Sequence, residues 1–219
     1  MTLAVKICGI NSDAAMAAAV AARVDYVGLM FYPPSPRYLT RPDAARLARQ
    51  VPQGIRRVGV FVDAPDQMIA ETLNEVALDA LQLHGAETPA RVADIRARFA
   101  LPVIRAVKLA GPDDLAAARA FADAADMLLF DAKPPPDMAG GLPGGNAISF
   151  DWRLLAGYRG TRPWMLSGGL TAANLAQAVP ITGARAVDVS SGVETAPGVK
   201  DPALITAFAA AARALAEAP

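Results

Sequence analysis

The sequence predicts an α/β fold, a single-domain (β/α)8 barrel of the TIM-barrel type, on three observations. Eight short β-rich runs recur along the chain, helix-favouring stretches with start signals lie between them, and the alternation fits within 219 residues, the compact end of that architecture. A doubly wound open sheet is the competing arrangement; it fits less well, because eight evenly spaced parallel strands usually close. A chain of this length buries roughly 70% of its unfolded surface on folding, enough for one core, so residues 1–219 are expected to form one domain.

The elements follow in order. The first run, 3–8, breaks at Gly9, and Asn11 or Ser12 can cap the helix after it. The second, 25–31, runs into a proline-stiffened loop, Tyr32-Pro33-Pro34-Ser35-Pro36-Arg37-Tyr38, before a helix opened by Arg41-Pro42-Asp43. The third, 55–62, precedes a helix opened by Ala64-Pro65-Asp66, with proline at an early helical position. The fourth, 80–84, ends at His84, the only histidine, and the fifth, 102–108, precedes a helix opened by Gly111-Pro112-Asp113. The sixth, 126–131, ends at Asp131 and enters the longest loop, which carries Pro134-Pro135-Pro136, Gly140-Gly141 and Gly144-Gly145 before a sixth helix. The seventh, 163–167, meets Ser167-Gly168-Gly169 and leads directly into a helix; the eighth, 186–190, meets Ser190-Ser191-Gly192, and Asp201-Pro202 opens the last helix. The proline-stiffened and glycine-rich loops both follow strands, so both belong to the C-terminal face, where barrel active sites assemble.

Composition excludes several classes of function. Twenty-one Lys and Arg balance 21 Asp and Glu, so no basic stripe points to nucleic acid. Much of the 53% hydrophobic content is alanine, which favours helices without resembling a membrane span. The most apolar stretch, from Ala203, meets Arg213 well short of the ~20 residues a span requires, and the N-terminus lacks a signal peptide. One cysteine without an export signal fits a reducing, cytoplasmic setting. No HExxH or CxxC pattern supports a metal, and the GxGxxG and Walker patterns are missing, so no cofactor is expected. A monomer or a homodimer is compatible with the sequence.

Alternation along the strands selects the residues that can carry chemistry. Val5 and Ile7 face the helices, so Lys6 and Cys8 face the barrel interior, as do Asp131 on the sixth strand and Asp188 on the eighth. A buried Lys6 needs a partner, and Asp188 is the candidate. Cys8 and Asp131 stand at strand ends across the barrel mouth, an arrangement suited to a general base and a general acid; Lys6 is expected to increase the thiolate fraction of Cys8. Inert packing of Cys8, and helix capping or a bridge to Lys133 for Asp131, are the alternatives. Gly168-Gly169 and Ser190-Ser191-Gly192, on adjacent strand ends, can converge backbone N–H groups on an anion, against ordinary glycine turns. Arg37 ends a stiff loop and suits a bidentate carboxylate contact, against a solvated surface arginine. His84 turns inward, as a hydrogen-bonded structural residue or as part of a site.

Taken together, KICGI at 6–10, VGLMFYPPSPRYL at 27–39, VGVFVD at 58–63, LQLHG at 81–85, FDAK at 130–133, PGGNAISFDW at 143–152, LSGGL at 166–170 and VDVSSGVE at 187–194 resemble the phosphoribosylanthranilate isomerases, cofactor-free barrel enzymes of tryptophan biosynthesis. The resemblance implies an Amadori rearrangement of N-(5-phosphoribosyl)anthranilate to 1-(2-carboxyphenylamino)-1-deoxyribulose 5-phosphate. It implies Asp131 as the acid at the ribose ring oxygen, Cys8 as the base at C2, Arg37 at the anthranilate carboxylate, and Gly168, Gly169, Ser190, Ser191 and Gly192 as the phosphate cradle, with His84 and Asp188 beside the small-molecule phosphorylated substrate. One departure stands out: the family's loop usually ends Gly-Gly-Thr-Gly or Gly-Gly-Asn-Gly, where this chain has Gly144-Gly145-Asn146-Ala147. A thiamine-phosphate-synthase-like transferase, which calls for clustered aspartates and magnesium, and a non-catalytic phosphometabolite-binding barrel are the alternatives.

Overall fold

The computed structural model describes residues 3–133, 144 and 149–217. The described residues form a closed barrel of eight parallel strands: β1 (Ala4–Cys8), β2 (Tyr26–Met30), β3 (Arg56–Phe61), β4 (Ala80–Leu83), β5 (Val103–Leu109), β6 (Met127–Ala132), β7 (Trp164–Leu166) and β8 (Ala186–Val189). β8 pairs with β1, with Lys6 opposite Asp188, so the sheet closes and the open-sheet alternative falls.

The two-residue alternation of the strands generates two cores. Val5, Ile7, Val27, Leu29, Leu81, Val107, Leu128, Phe130 and Val187 point outward and pack under the helices. Tyr26, Val58, Ala80, Ile104, Ala106, Leu129, Met165 and Ala186 fill the interior. Towards the C-terminal ends the interior filling turns polar: Lys6, Gln82, Asp131 and Asp188 are all buried. Buried polar groups require partners, and those partners assemble the site.

The helices are α1 (Asp13–Ala21), α2 (Arg41–Ala48), α3 (Asp66–Glu75), α4 (Pro89–Phe99), α5 (Pro112–Ala118), α6 (Leu175–Thr182) and α7 (Pro202–Glu217). Ser12 caps α1 by accepting from the Ala15 N–H, and Thr40 and Thr88 cap α2 and α4 in the same way. Among the described residues no helix is long and apolar enough to cross a membrane.

Four details differ from the sequence reading. Pro65 takes the N-cap of α3 rather than a helical position. Between β6 and β7 the described helical segment is a single 3-10 turn, Trp152–Leu155, stopped where Gly157 adopts a φ of 72°. The helix after β7 does not follow Gly168-Gly169 directly: Asn174 accepts from the Thr171 N–H at 2.8 Å and donates to the Gly169 carbonyl at 2.9 Å, and α6 begins only at Leu175. Finally, an antiparallel pair, β9 (Glu194–Ala196) and β10 (Val199–Lys200), follows β8. Pro134-Pro135-Pro136, Gly140-Gly141 and the Gly145-Asn146-Ala147 departure lie outside the described residues.

Candidate active site

The C-terminal ends of the strands enclose one cleft, and its wall contains Cys8, Arg37, His84, Asp131, Gly168, Gly169, Asp188, Ser190, Ser191 and Gly192. Every residue expected from the sequence to act on or bind the substrate therefore borders the same space, and Lys6 lies fully buried beneath it. Met30, Tyr32, Ser35, Val62 and Leu170 supply further walls.

Cys8 ends β1 and is buried. Lys6, two residues back on the same face, donates to Asp188 Oδ1 at 2.7 Å, and the Ser167 hydroxyl donates to the other Asp188 oxygen at 3.2 Å. Gly28 leaves room for this group, because a Cβ there would stand 3.0 Å from Cys8 Sγ and 3.4 Å from Lys6 Nζ. Burial works to lower the Lys6 pKa, but the charges of Asp188 and Cys8 hold it above the ordinary lysine range. Burial pushes the Cys8 thiol up; Lys6 and Lys200 oppose that shift and Asp188 adds to it. Lys6 thus favours the thiolate, as expected, while burial keeps the net shift of Cys8 upward.

Asp131 lies on β6, three strands round the barrel from β1 by way of β8 and β7. The Ala132 N–H donates to Oδ1 at 2.9 Å, and His84 Nε2 lies 3.1 Å from Oδ2. Lys133, the alternative partner for Asp131, pairs with Asp114 instead at 2.8 Å. Behind His84, Gln82 Nε2 lies 2.9 Å from Nδ1, while Gln82 Oε1 is buried without a partner. In this orientation the amide donates to Nδ1, so the ring proton sits on Nε2 and faces a carboxylate. Turning the amide over reverses the chain: Nδ1–H donates to Oε1, and Nε2 accepts from a protonated Asp131. One hydrogen-bonded chain thus supports both the charged and the neutral acid.

Gly168 and Gly169 adopt left-handed φ values of 86° and 65°, which turn the backbone after β7 across the cleft. After β8, Ser191–Val193 forms a 3-10 turn led by Ser190. The two turns border the cleft side by side, and Lys200 Nζ donates to the Ser190 carbonyl at 2.8 Å and its hydroxyl at 3.2 Å. Glycine turns that border the cleft, with a buried ammonium held against Ser190, suit an anion such as a phosphate. Among the described residues no group of three His, Cys, Asp or Glu side chains is placed to hold a metal ion.

Arg37 is 3% exposed, so the solvated alternative falls. Its Nε and Nη2 donate to the two oxygens of Glu194 at 2.7 and 2.8 Å, and Lys200 donates to Glu194 Oε1 at 2.7 Å. Burial alone would raise the Glu194 pKa; Arg37 and Lys200 together hold it below the ordinary carboxylate range. Burial lowers Lys200, with Glu194 opposing. The sequence reading missed Gln82, Glu194 and Lys200 as parts of this site. Gln82 stands two residues before the inward-facing His84, so strand alternation turns it inward as well, but nothing in the pattern Glu-Thr-Ala-Pro-Gly-Val-Lys at 194–200 marks its two ends as buried.

Comparison with known proteins places this geometry. The family model described as N-(5'-phosphoribosyl)anthranilate isomerase matches residues 5–211. The N-(5'-phosphoribosyl)anthranilate isomerase of Rhodospirillum centenum is 59% identical over 215 residues, covering 98% of this chain and all of that relative. The crystal structure of phosphoribosyl anthranilate isomerase from Thermotoga maritima is 36% identical with a TM-score of 0.87, covering 97% of this chain and 100% of that one. A second crystal structure of phosphoribosyl anthranilate isomerase, in complex with reduced 1-(o-carboxyphenylamino)-1-deoxyribulose 5-phosphate, is 35% identical with a TM-score of 0.84 over the same shares.

Proposed function

The chain belongs to the N-(5'-phosphoribosyl)anthranilate isomerase family, and from that membership and the cleft we infer how its own residues perform the isomerisation in tryptophan biosynthesis. The substrate is a small phosphorylated aminoaldose, and the reaction is an Amadori rearrangement. The phosphate sits between the Gly168-Gly169 and Ser190–Gly192 turns, the anthranilate carboxylate is directed to Arg37, and the ribose lies between Cys8 and Asp131, beside His84 and Asp188.

Protonated Asp131 gives its proton to the ring oxygen of the furanose. The C1–O bond breaks, the anthranilate nitrogen's lone pair moves to C1, and the open chain becomes a protonated Schiff base. The Cys8 thiolate then removes the C2 proton, and the C–H electrons pass through C1 to quench the iminium as an enolamine. Tautomerisation returns a proton to C1 and gives the 2-ketone. Lys6 stabilises the thiolate that the base step requires, and Gln82–His84 supports Asp131 in either protonation state.

The observation that carries this reading is a buried thiol and a buried, histidine-linked carboxyl bordering one cleft together with the Gly168-Gly169 and Ser190–Gly192 turns. It is tested by following the loss of phosphoribosylanthranilate fluorescence with the purified protein alone. Turnover is expected, and Asp131→Asn is expected to lower kcat by at least about 100-fold, the usual scale for a general acid. An Asp131→Asn protein with near-normal turnover contradicts the role given to Asp131. The reading also implies a cytoplasmic setting and assembly as a monomer or homodimer, which sedimentation distinguishes.

A further inference from the structure

We propose that Glu194 and Lys200 are positioning residues for substrate recognition: Glu194 fixes the plane of the Arg37 guanidinium, and Lys200 ties Glu194 to the phosphate turn. The proposal rests on the assignment of Arg37 to the anthranilate carboxylate.

The three side chains form a continuous buried chain. Arg37 and Glu194 are each 3% exposed and Lys200 is fully covered. Desolvating three charges is costly, and only close hydrogen-bonded geometry offsets it. That geometry is present. Glu194 takes Arg37 by one edge of its fork, Nε and Nη2, with one oxygen each, so the carboxylate and guanidinium planes are coupled. A single contact leaves a guanidinium free to swing about its stem; a paired contact does not. The Arg37 N–H also donates to Ser35 Oγ at 3.2 Å, which fixes the backbone end of the same residue.

Lys200 extends the chain to the other end of the cleft. Its ammonium reaches Glu194 Oε1, the Ser190 carbonyl and the Ser190 hydroxyl. The β9–β10 hairpin that carries both residues is in turn held to the loop after β1 by Asn11 Nδ2, which donates to the Gly198 carbonyl at 2.8 Å. The carboxylate end and the phosphate end of the cleft are therefore built on one ion chain, and that chain sets their spacing. A ligand carrying both anions at the right separation profits from both ends.

The test measures binding by calorimetry for two ligands, the reduced product analogue with its ring carboxylate and the same molecule without it, in wild type, Glu194→Gln, Arg37→Met and Lys200→Met. Glu194→Gln is expected to weaken the carboxylate ligand by on the order of tenfold and to leave the other ligand unchanged, as loss of a charge-assisted contact would. Glu194→Asp, which keeps the charge but shortens the reach, is expected to show the same selective loss if the glutamine variant does not fold. Lys200→Met is expected to weaken both ligands and inorganic phosphate. Equal weakening of the two ligands by Glu194→Gln indicates a merely structural role and overturns the proposal for Glu194. Unchanged phosphate binding in Lys200→Met overturns the link to the Ser190 turn. If Arg37→Met discriminates between the ligands and Glu194→Gln does not, the positioning proposal fails while the role of Arg37 stands. If Arg37→Met binds both ligands as wild type does, the assignment of Arg37 fails and takes the proposal with it.

Discussion

Gly144 shows how a single missing side chain can serve a catalytic pair. A Cβ at this position would stand 2.6 Å from His84 Nε2 and 2.9 Å from Asp131 Oδ2, so the Gly144 backbone rests directly against the acid and its histidine. Gly144→Ala is expected to displace Asp131 and lower kcat by about 100-fold, the scale of a small misplacement of a reacting group, with the melting temperature little changed. Undiminished kcat in that variant shows that residue 144 stands clear of the pair. Cys8 provides a second test. Its thiol is held above the ordinary range by burial, with Lys6 and Lys200 opposing, and the base is the thiolate. The rate at which Cys8 is alkylated by iodoacetamide, which reports its thiolate, is therefore expected to keep rising with pH above the ordinary thiol range. An alkylation rate that levels off below that range contradicts the upward shift. Strand alternation alone turned Cys8 and Asp131 inward, so both were legible in the sequence. The direction of the Cys8 shift was not, because it depends on how burial and the Asp188 charge weigh against Lys6 and Lys200, which only the packed barrel brings together.

At the scale of elements, the seam between β1 and β8 closes the barrel, and Lys6 and Asp188 lie in register across it. Both are buried, and the pair is 2.7 Å apart. Lys6→Met leaves the Asp188 charge buried without its counter-ion, which is expected to cost about 3–5 kcal/mol. The double variant Lys6→Met/Asp188→Leu removes both charges and is expected to recover most of that loss in denaturant melts. A double variant no more stable than the single one refutes this account of the seam. The eight strands were legible because each is an apolar run bounded by glycine, proline or a charge. The β9–β10 hairpin was not: three and two residues are too few to show a period. Its two charged ends, Glu194 and Lys200, carry the composition of a solvated loop. Their burial is produced by the docking of the hairpin against the loops after β1 and β2, a tertiary event with no local signature. The expected sixth helix failed for a local reason, since Gly157 stops the turn at 152–155 soon after Asp151 caps it.

Across the whole molecule, an outer core of branched apolar side chains holds a barrel whose interior is apolar at one end and charged at the other. The charged end is not paired at random. Lys6–Asp188 supports Cys8, Gln82–His84 supports Asp131, and Lys200–Glu194 supports Arg37, so each group assigned to the substrate has its own buried partner. This division of labour accounts for an isomerisation by positioned proton transfers within the barrel. It stands or falls on Cys8 as the base. The direct measurement is the single-turnover rate of Cys8→Ala at saturating phosphoribosylanthranilate, alongside its affinity for the reduced product analogue. A rate lower by about 100-fold or more, with analogue affinity unchanged, is the predicted result; a Cys8→Ala enzyme that turns over within a few-fold of wild type contradicts it.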